Sequence, residues 1–214
     1  MNLKIINMDS KKQTTRSQSH GNSGNEKQSN GNSNGKRNSN KQKQSRFNEK
    51  NAGKLKDFFL EELKDIYFAE HEALKALKKM EGAATSMALK DSIGQHHSET
   101  EEQIKRLEEV FSLVGEKPSK KKCEGILGII KDGETVLEDT ETDTMVRDAA
   151  IIIANQKVEH YEITSYGSLA ELARTLGMDD VAELLDLTLD EEKKTDVTLT
   201  ELAVESVNEE AKKE

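Results

Sequence analysis

The chain has 214 residues, enough for one ordinary domain plus extensions. Hydrophobic residues make up 33% and charged residues 34%, with one proline and no tryptophan, a helix-like mixture. A single cysteine, Cys123, excludes an intramolecular disulfide and fits a reducing compartment.

Charge is unevenly placed. Residues 1–54 hold 12 of the 32 Lys and Arg residues but only 3 of the 41 acids, a net of +9; the remaining 20 basic and 38 acidic residues net −18. The opening "MNLKIINMDS" is too short and polar for a secretory h-region. The longest aliphatic run, "AAIIIA" at 149–154, is far short of the roughly 20 residues of a membrane span. The expectation is a cytoplasmic protein that does not enter a membrane.

Residues 1–53 form the first predicted region. From about Asp9 to Gly53 the chain is mostly Asn, Ser, Gln, Gly and Lys. With almost nothing apolar to bury, it cannot offset the entropy of ordering and is predicted to be a disordered basic tail. Such an arm could simply solvate the body, or touch nucleic acid or another polyanion weakly and without sequence preference. Its one aromatic, Phe47, is too little for base stacking.

The body, 54–208, is predicted to be helical throughout, and 209–214 reads as a charged end. Helix A, about 54–83, carries the stripe Leu60, Leu63, Tyr67, Glu70, Leu74 and Leu77. Helix B, about 87–114, carries Leu89, Ile93, His96, Thr100, Gln103, Leu107 and Val110, with Gly115 as its stop signal and Pro118 just beyond. A crossover with a shorter amphipathic helix around "ILGIIKDGETVLED" follows. Helix C, about 144–176, carries Ile152, Gln156, Glu159, Ile163, Tyr166 and Ala170, and Gly177 ends it. Helix D, capped by Asp179 or Asp180, carries Val181, Leu185, Thr188, Glu192, Thr195 and Leu199, and its stripe fades at Ser206. Four stripes of period near 3.5 describe an all-α four-helix bundle. Short A–B and C–D turns with a long B–C crossover give the topology of ferritin-like bundles.

Each stripe is interrupted near its middle by a metal-ligand type. Helix A supplies Glu70, helix B His96 and Glu99, helix C Glu159 and Glu162, and helix D Glu192. Residues three apart share a helix face, and at about 1.5 Å per residue these carboxylates fall at matching depth. Two carboxylates about 4 Å apart repel by roughly 4 kcal/mol even at an effective dielectric of 20. Two divalent cations would cancel four of them, and oxygen-rich sites with one imidazole suit iron or manganese. The competing reading places some of these acids on solvated flanks.

Neighbouring residues carry lesser expectations. His97 and His160 lie off the stripes and are expected near the surface, as is Glu108. Tyr67 and Tyr166 are either core tyrosines or hydrogen-bond orienters and electron relays. Gly94 and Gly167 suggest close helix approach, at roughly 1 kcal/mol each relative to Ala. The run Ile151–Ile153 spreads apolar surface beyond one stripe, to be covered by the crossover helix or by a second copy in a homodimer.

The stretches "DIYFAE", "HHSET", "QKVEHYEITSYGSLAELA" and "LDEEKKTDVTLTELA", with "KKCEGILGII" in the crossover, resemble the YciE/YciF family of bacterial ferritin-like stress proteins over about 55–208. The resemblance implies a dimeric ferritin-like bundle, a di-iron or di-manganese centre and a link to stress response, without a settled activity. The matching positions are Glu70, His96, Glu99, Glu159, Glu162 and Glu192. Glu70 and Glu192 would be terminal ligands and Glu99 and Glu159 bridging ones, with a nitrogen from His96 and a further oxygen from Glu162. The chain departs from di-iron bundles with Glu-x-x-His on two helices: helix B reads His-x-x-Glu, helix C Glu-x-x-Glu, and helix D offers Glu192 and Asp196. If catalytic, the protein would be an oxidoreductase acting on oxygen, peroxide or ferrous iron. The alternative is a non-catalytic scaffold with a structural polar layer, its tail contacting DNA or acidic partners.

Overall fold

The structure, a computed structural model, describes the backbone of residues 34–214 and the side chains of residues 53–214. The helices are α1 (Asn34–Ala83), α2 (Met87–Leu113), α3 (Glu124–Asp139), α4 (Met145–Thr175) and α5 (Asp179–Leu202). A π turn, Ala203–Val207, and a last short helix, α6 (Asn208–Ala211), complete it. No strand occurs among the described residues. Lys43–Glu214 forms a compact unit, a helical bundle in which α4 packs on α5 and α3, and α2 on α5.

The predicted helix boundaries hold to within a residue or two, except at the start. Helix α1 begins at Asn34, well ahead of the start expected near 54. The stretch 34–53 lacks proline and is rich in Lys, Arg, Gln and Asn, so extending an already nucleated helix backward needs no apolar face. The rest of the predicted tail, residues 1–33, lies outside the described residues.

Turn chemistry sets the two tight ends. Gly115 (φ +80) and Gly177 (φ +73) both adopt the left-handed conformation predicted for them. After each, the next amide reaches back into the helix, Glu116 N to Phe111 O at 2.9 Å and Met178 N to Ala173 O at 2.9 Å. Met178, not an aspartate, occupies the N-cap of α5; Asp179 and Asp180 sit in its first turn, where the helix dipole favours negative charge. The close-approach glycine is Gly133 on α3, where a Cβ would meet Met80 at 3.1 Å and Ala154 at 3.2 Å. At Gly94 a Cβ would meet only the flexible tip of Glu81, and at Gly167 it would make ordinary contact with Leu189, so neither marks the crowding expected.

The core is split along the four long helices, α1, α2, α4 and α5. One apolar cluster includes Leu63, Ile66, Leu107, Phe111, Leu169 and Leu185; the other includes Leu77, Leu89, Ile93, Ile151, Ile152 and Leu199. Where the two clusters meet stand Glu70 on α1, His96 on α2, Glu159 with Glu162 on α4, and Glu192 on α5, all buried. The apolar clusters position a polar layer. Helix α3 covers part of the second face of α4, while Ile153 stays 56% exposed. The fading stripe of helix D coincides with the π turn, whose register change brings Val207 back into the core.

Candidate metal centre

Four residues from three helices converge. One ligand atom from each of His96, Glu159, Glu162 and Glu192 lies within 4.8 Å of the others. The i, i+3 spacing on α4 aims Glu159 and Glu162 at the same point, and α2 and α5 supply the other two. His96 Nε2 is 3.1 Å from Glu159 Oε1 and 3.9 Å from Glu192 Oε2, close for an ion pair but without the alignment of a hydrogen bond.

The electrostatics of this layer are unfavourable as it stands. Burial, reinforced by neighbouring carboxylates, pushes Glu162 and Glu192 well above the usual carboxylate range. Burial also raises Glu70, to about 7, although the Tyr166 hydroxyl and His96 pull the other way. For His96, burial opposes the charged ring, but the carboxylates of Glu159, Glu70 and Glu99 outweigh it and raise its affinity for a proton. Both oxygens of Glu159 and Glu192, Glu162 Oε1 and Glu70 Oε2 are buried with no hydrogen-bond partner. Orphaned oxygens of this kind cost about 1–3 kcal/mol each, and more when charged.

Glu70 and Glu99 stand apart from the four. Glu70 is fully buried and accepts a hydrogen bond from the Tyr166 hydroxyl on Oε1. Glu99 is half-buried and accepts a hydrogen bond from Gln95 at 2.9 Å. The two tyrosines separate as well: Tyr166 orients Glu70, whereas Tyr67 donates to Glu108 at 2.9 Å. Burial and that carboxylate raise Tyr67 to about 12. Glu108 is therefore exposed, as expected, yet not free of partners. His160 is 70% exposed beside Asp196, which also accepts from Gln156 at 3.1 Å and lies outside the layer.

Several polar residues beside the layer escaped the sequence reading. Arg106 donates to Thr188 at 2.7 Å and forks onto Glu191 at 2.7 and 2.9 Å, and Gln103 joins the same carboxylate at 3.1 Å. The signal was present in Gln103 and Thr188, polar residues on the predicted stripes; the arginine one turn from Gln103 was the missing partner. The Thr195 hydroxyl lies 3.4 Å from His96 Nδ1.

Fold and layer together define a class: an all-helical bundle whose two apolar clusters enclose a buried His/Glu group. The family described as "Domain of unknown function (DUF892)" matches residues 54–212, and the chain belongs to it. The chain is 43% identical over 162 residues, 75% of its length and 97% of the relative's, to Protein YciF of Escherichia coli K12. It also resembles the crystal structure of the E. coli stress protein YciF, with a TM-score of 0.69 and 44% identity, covering 72% of this chain and 97% of that one. A second solved relative is YcfI of Rhodopseudomonas palustris, provisionally described as a structural protein, with a TM-score of 0.66 and 43% identity, covering 68% and 92%. A protein of Xanthomonas campestris at 23% identity and a TM-score of 0.61, covering 74% and 97%, shares the fold. No described helix is long and apolar enough to cross a membrane.

Proposed function

We propose that the protein is a ferritin-like metal-binding bundle that holds iron or manganese in its acid layer and acts in bacterial stress protection. The observation that carries this reading is the set of six buried, partnerless carboxylate oxygens on Glu70, Glu159, Glu162 and Glu192. A structural hydrogen-bond network pairs its polar groups; this layer gathers acceptors with few donors. Its four carboxylates match the charge of two divalent cations, and one imidazole among oxygens suits iron or manganese.

His96, Glu159, Glu162 and Glu192 would hold the metal, with Glu70 in the same layer as a further carboxylate for a second ion. Such a centre would supply redox chemistry toward oxygen, peroxide or ferrous iron. The chain's own part is positioning: Tyr166 fixes Glu70, Thr195 lies against the imidazole, and the two apolar clusters keep bulk water out. The likeness to a protein described as a stress protein supports the physiological half of the reading.

Elemental analysis of purified protein tests it. About one to two iron or manganese ions per chain are expected, and a melting temperature that rises with metal concentration. A metal-free wild type that takes up neither ion on reconstitution would sink the reading. The single thiol, Cys123, fits a cytoplasmic home. Exposed Ile153 fits a homodimer, testable by mass at micromolar concentration. Any DNA contact by the basic tail would be weak and salt-sensitive.

A second reading, a non-catalytic scaffold, draws on the Arg106–Glu191–Gln103–Thr188 network, which is structural in kind. That network lies beside the orphaned oxygens and leaves them unsatisfied, which is why metal binding is the stronger reading.

A further inference from the structure

Between α2 and α5 lies a cleft of about 30 Å³, room for a water molecule or a bare cation, with the His96 ring as its one wall residue from the acid layer. Gln95, His96 and Glu99 line it from α2, and Lys194, Thr195 and Thr198 from α5. Resting on the metal-centre reading above, we infer that this cleft is the entry route for cations, with Glu99 capturing them at the mouth and the His96 ring passing them inward.

The His96 ring spans the two compartments. Nδ1 lies 3.4 Å from the Thr195 hydroxyl on the cleft wall, and Nε2 lies 3.1 Å from Glu159 in the layer. Of the four converging residues His96 is the most exposed, at 4%; the three glutamates range from 0% to 1%. The layer therefore reaches the cleft through this ring. Glu99 sits one turn of α2 outward from His96, half-buried, and hydrogen-bonded to Gln95 rather than to any of the four. A carboxylate there offsets part of the cost of stripping water from an arriving cation. Exposed Lys194, also at the mouth, opposes the same approach and sets its rate.

A residue that meets the ion only in transit changes the rates of entry and exit by the same factor and leaves the equilibrium untouched. A ligand changes the equilibrium. The experiment follows from that distinction. Metal-free wild type, Glu99→Gln and Lys194→Gln are mixed with Fe²⁺ under anaerobic conditions and, separately, with Mn²⁺. Uptake and chelator-driven release are followed by stopped-flow tyrosine fluorescence, which the absence of tryptophan makes usable, and final occupancy by elemental analysis.

Glu99→Gln is expected to slow uptake and release together, by roughly tenfold, with wild-type stoichiometry and an affinity changed far less than the rates. Lys194→Gln is expected to speed both. A Glu99→Gln protein that loses an ion from its stoichiometry, or whose affinity falls by as much as its uptake rate, would overturn the inference and make Glu99 a ligand. Unchanged rates with normal loading would overturn it by showing another route, while leaving the metal centre intact. Failure of the wild type itself to load would remove the metal centre, and the route with it.

Discussion

Two places in this bundle bury charge, and they treat it in opposite ways. At the end formed by the α1–α2 turn, Asp148 is fully buried, and its two oxygens accept hydrogen bonds from the Thr85 and Ser86 amides at 2.7 Å each. Beside it, Arg147 donates to Leu137 O at 2.9 Å and to both the carbonyl and the hydroxyl of Thr140, tying α3 to α4. In the middle of the bundle, Glu159 and Glu192 are equally buried, and their oxygens have no hydrogen-bond partner. Burial of a charge does not by itself announce a functional site. Several carboxylates buried around a single imidazole do, because one ring offsets only part of their desolvation.

The largest effect expected from this contrast is at the satisfied end. Asp148→Ala leaves the Thr85 and Ser86 amides at the start of α2 without acceptors, and should cost about 2–5 kcal/mol in urea denaturation. A cost below about 1 kcal/mol would mean the turn re-forms without it, and the contrast would lose one of its sides.

Next in size is the metal. At a hundredfold excess over its dissociation constant, one bound ion should add about 2.7 kcal/mol of stability. Glu159→Ala and Glu192→Ala should each abolish that gain while leaving the metal-free protein as stable as wild type, or more so, since one repulsive charge has gone. Glu109→Ala, exposed on α2, is the control; Glu108 is less suitable because Tyr67 donates to it. A metal-free Glu159→Ala protein that unfolds several degrees early would make the layer a structural network like the one around Asp148.

A smaller and slower signature lies in pH. Glu70, raised to about 7, and Glu162 and Glu192, raised well above the usual range, hold protons in the folded state that the unfolded chain has already released. His96 is raised as well and acts in the same direction. Metal-free stability should therefore be greatest toward pH 5 and decline as pH rises through 7, each such group removing up to about 1.4 kcal/mol for every tenfold fall in proton concentration. Metal affinity should move the opposite way, because protons and cations compete for the same oxygens. Thermal melts from pH 5 to 8, with and without metal, would show crossing trends; parallel trends would mean that the cation binds elsewhere.

The smallest effect is expected from the N-terminal region. A chain beginning at Asn51 keeps every residue of the two apolar clusters, so its melting temperature should stay within a few degrees of the full-length value. Loss of cooperative unfolding would place the start of α1 within the cooperative fold.

Much of this was legible in the chain itself. Apolar spacing on the four long helices, Gly115 and Gly177 at their ends, and the long stretch between helices B and C determined the all-helical bundle, because side-chain period and turn glycines are local properties. The same spacing placed Glu70, His96, Glu159, Glu162 and Glu192 on inward faces at one level, since depth along a helix follows from counting residues. Helical periodicity assigns a face. It does not say how far a side chain on the edge of that face reaches, or which polar atom of another helix it meets.

Tertiary packing decided those matters. It left Glu99, on the edge of its stripe, hydrogen-bonded to Gln95 at the cleft, and tied Glu70 to Tyr166, which lies 96 residues away in sequence. It sent Asp148, unremarkable in the chain, under the amides of Thr85 and Ser86, and brought the side-chain carboxylate of Glu214 to the Met145 amide at 2.9 Å. The early start of α1 at Asn34 is a different matter, a local extension of a nucleated helix into a stretch whose composition alone reads as disordered. Local pattern determined which elements form and which way they face; the pairing of polar groups across distant segments was settled only when the helices came together, because a hydrogen bond depends on distance in space and not on separation in sequence.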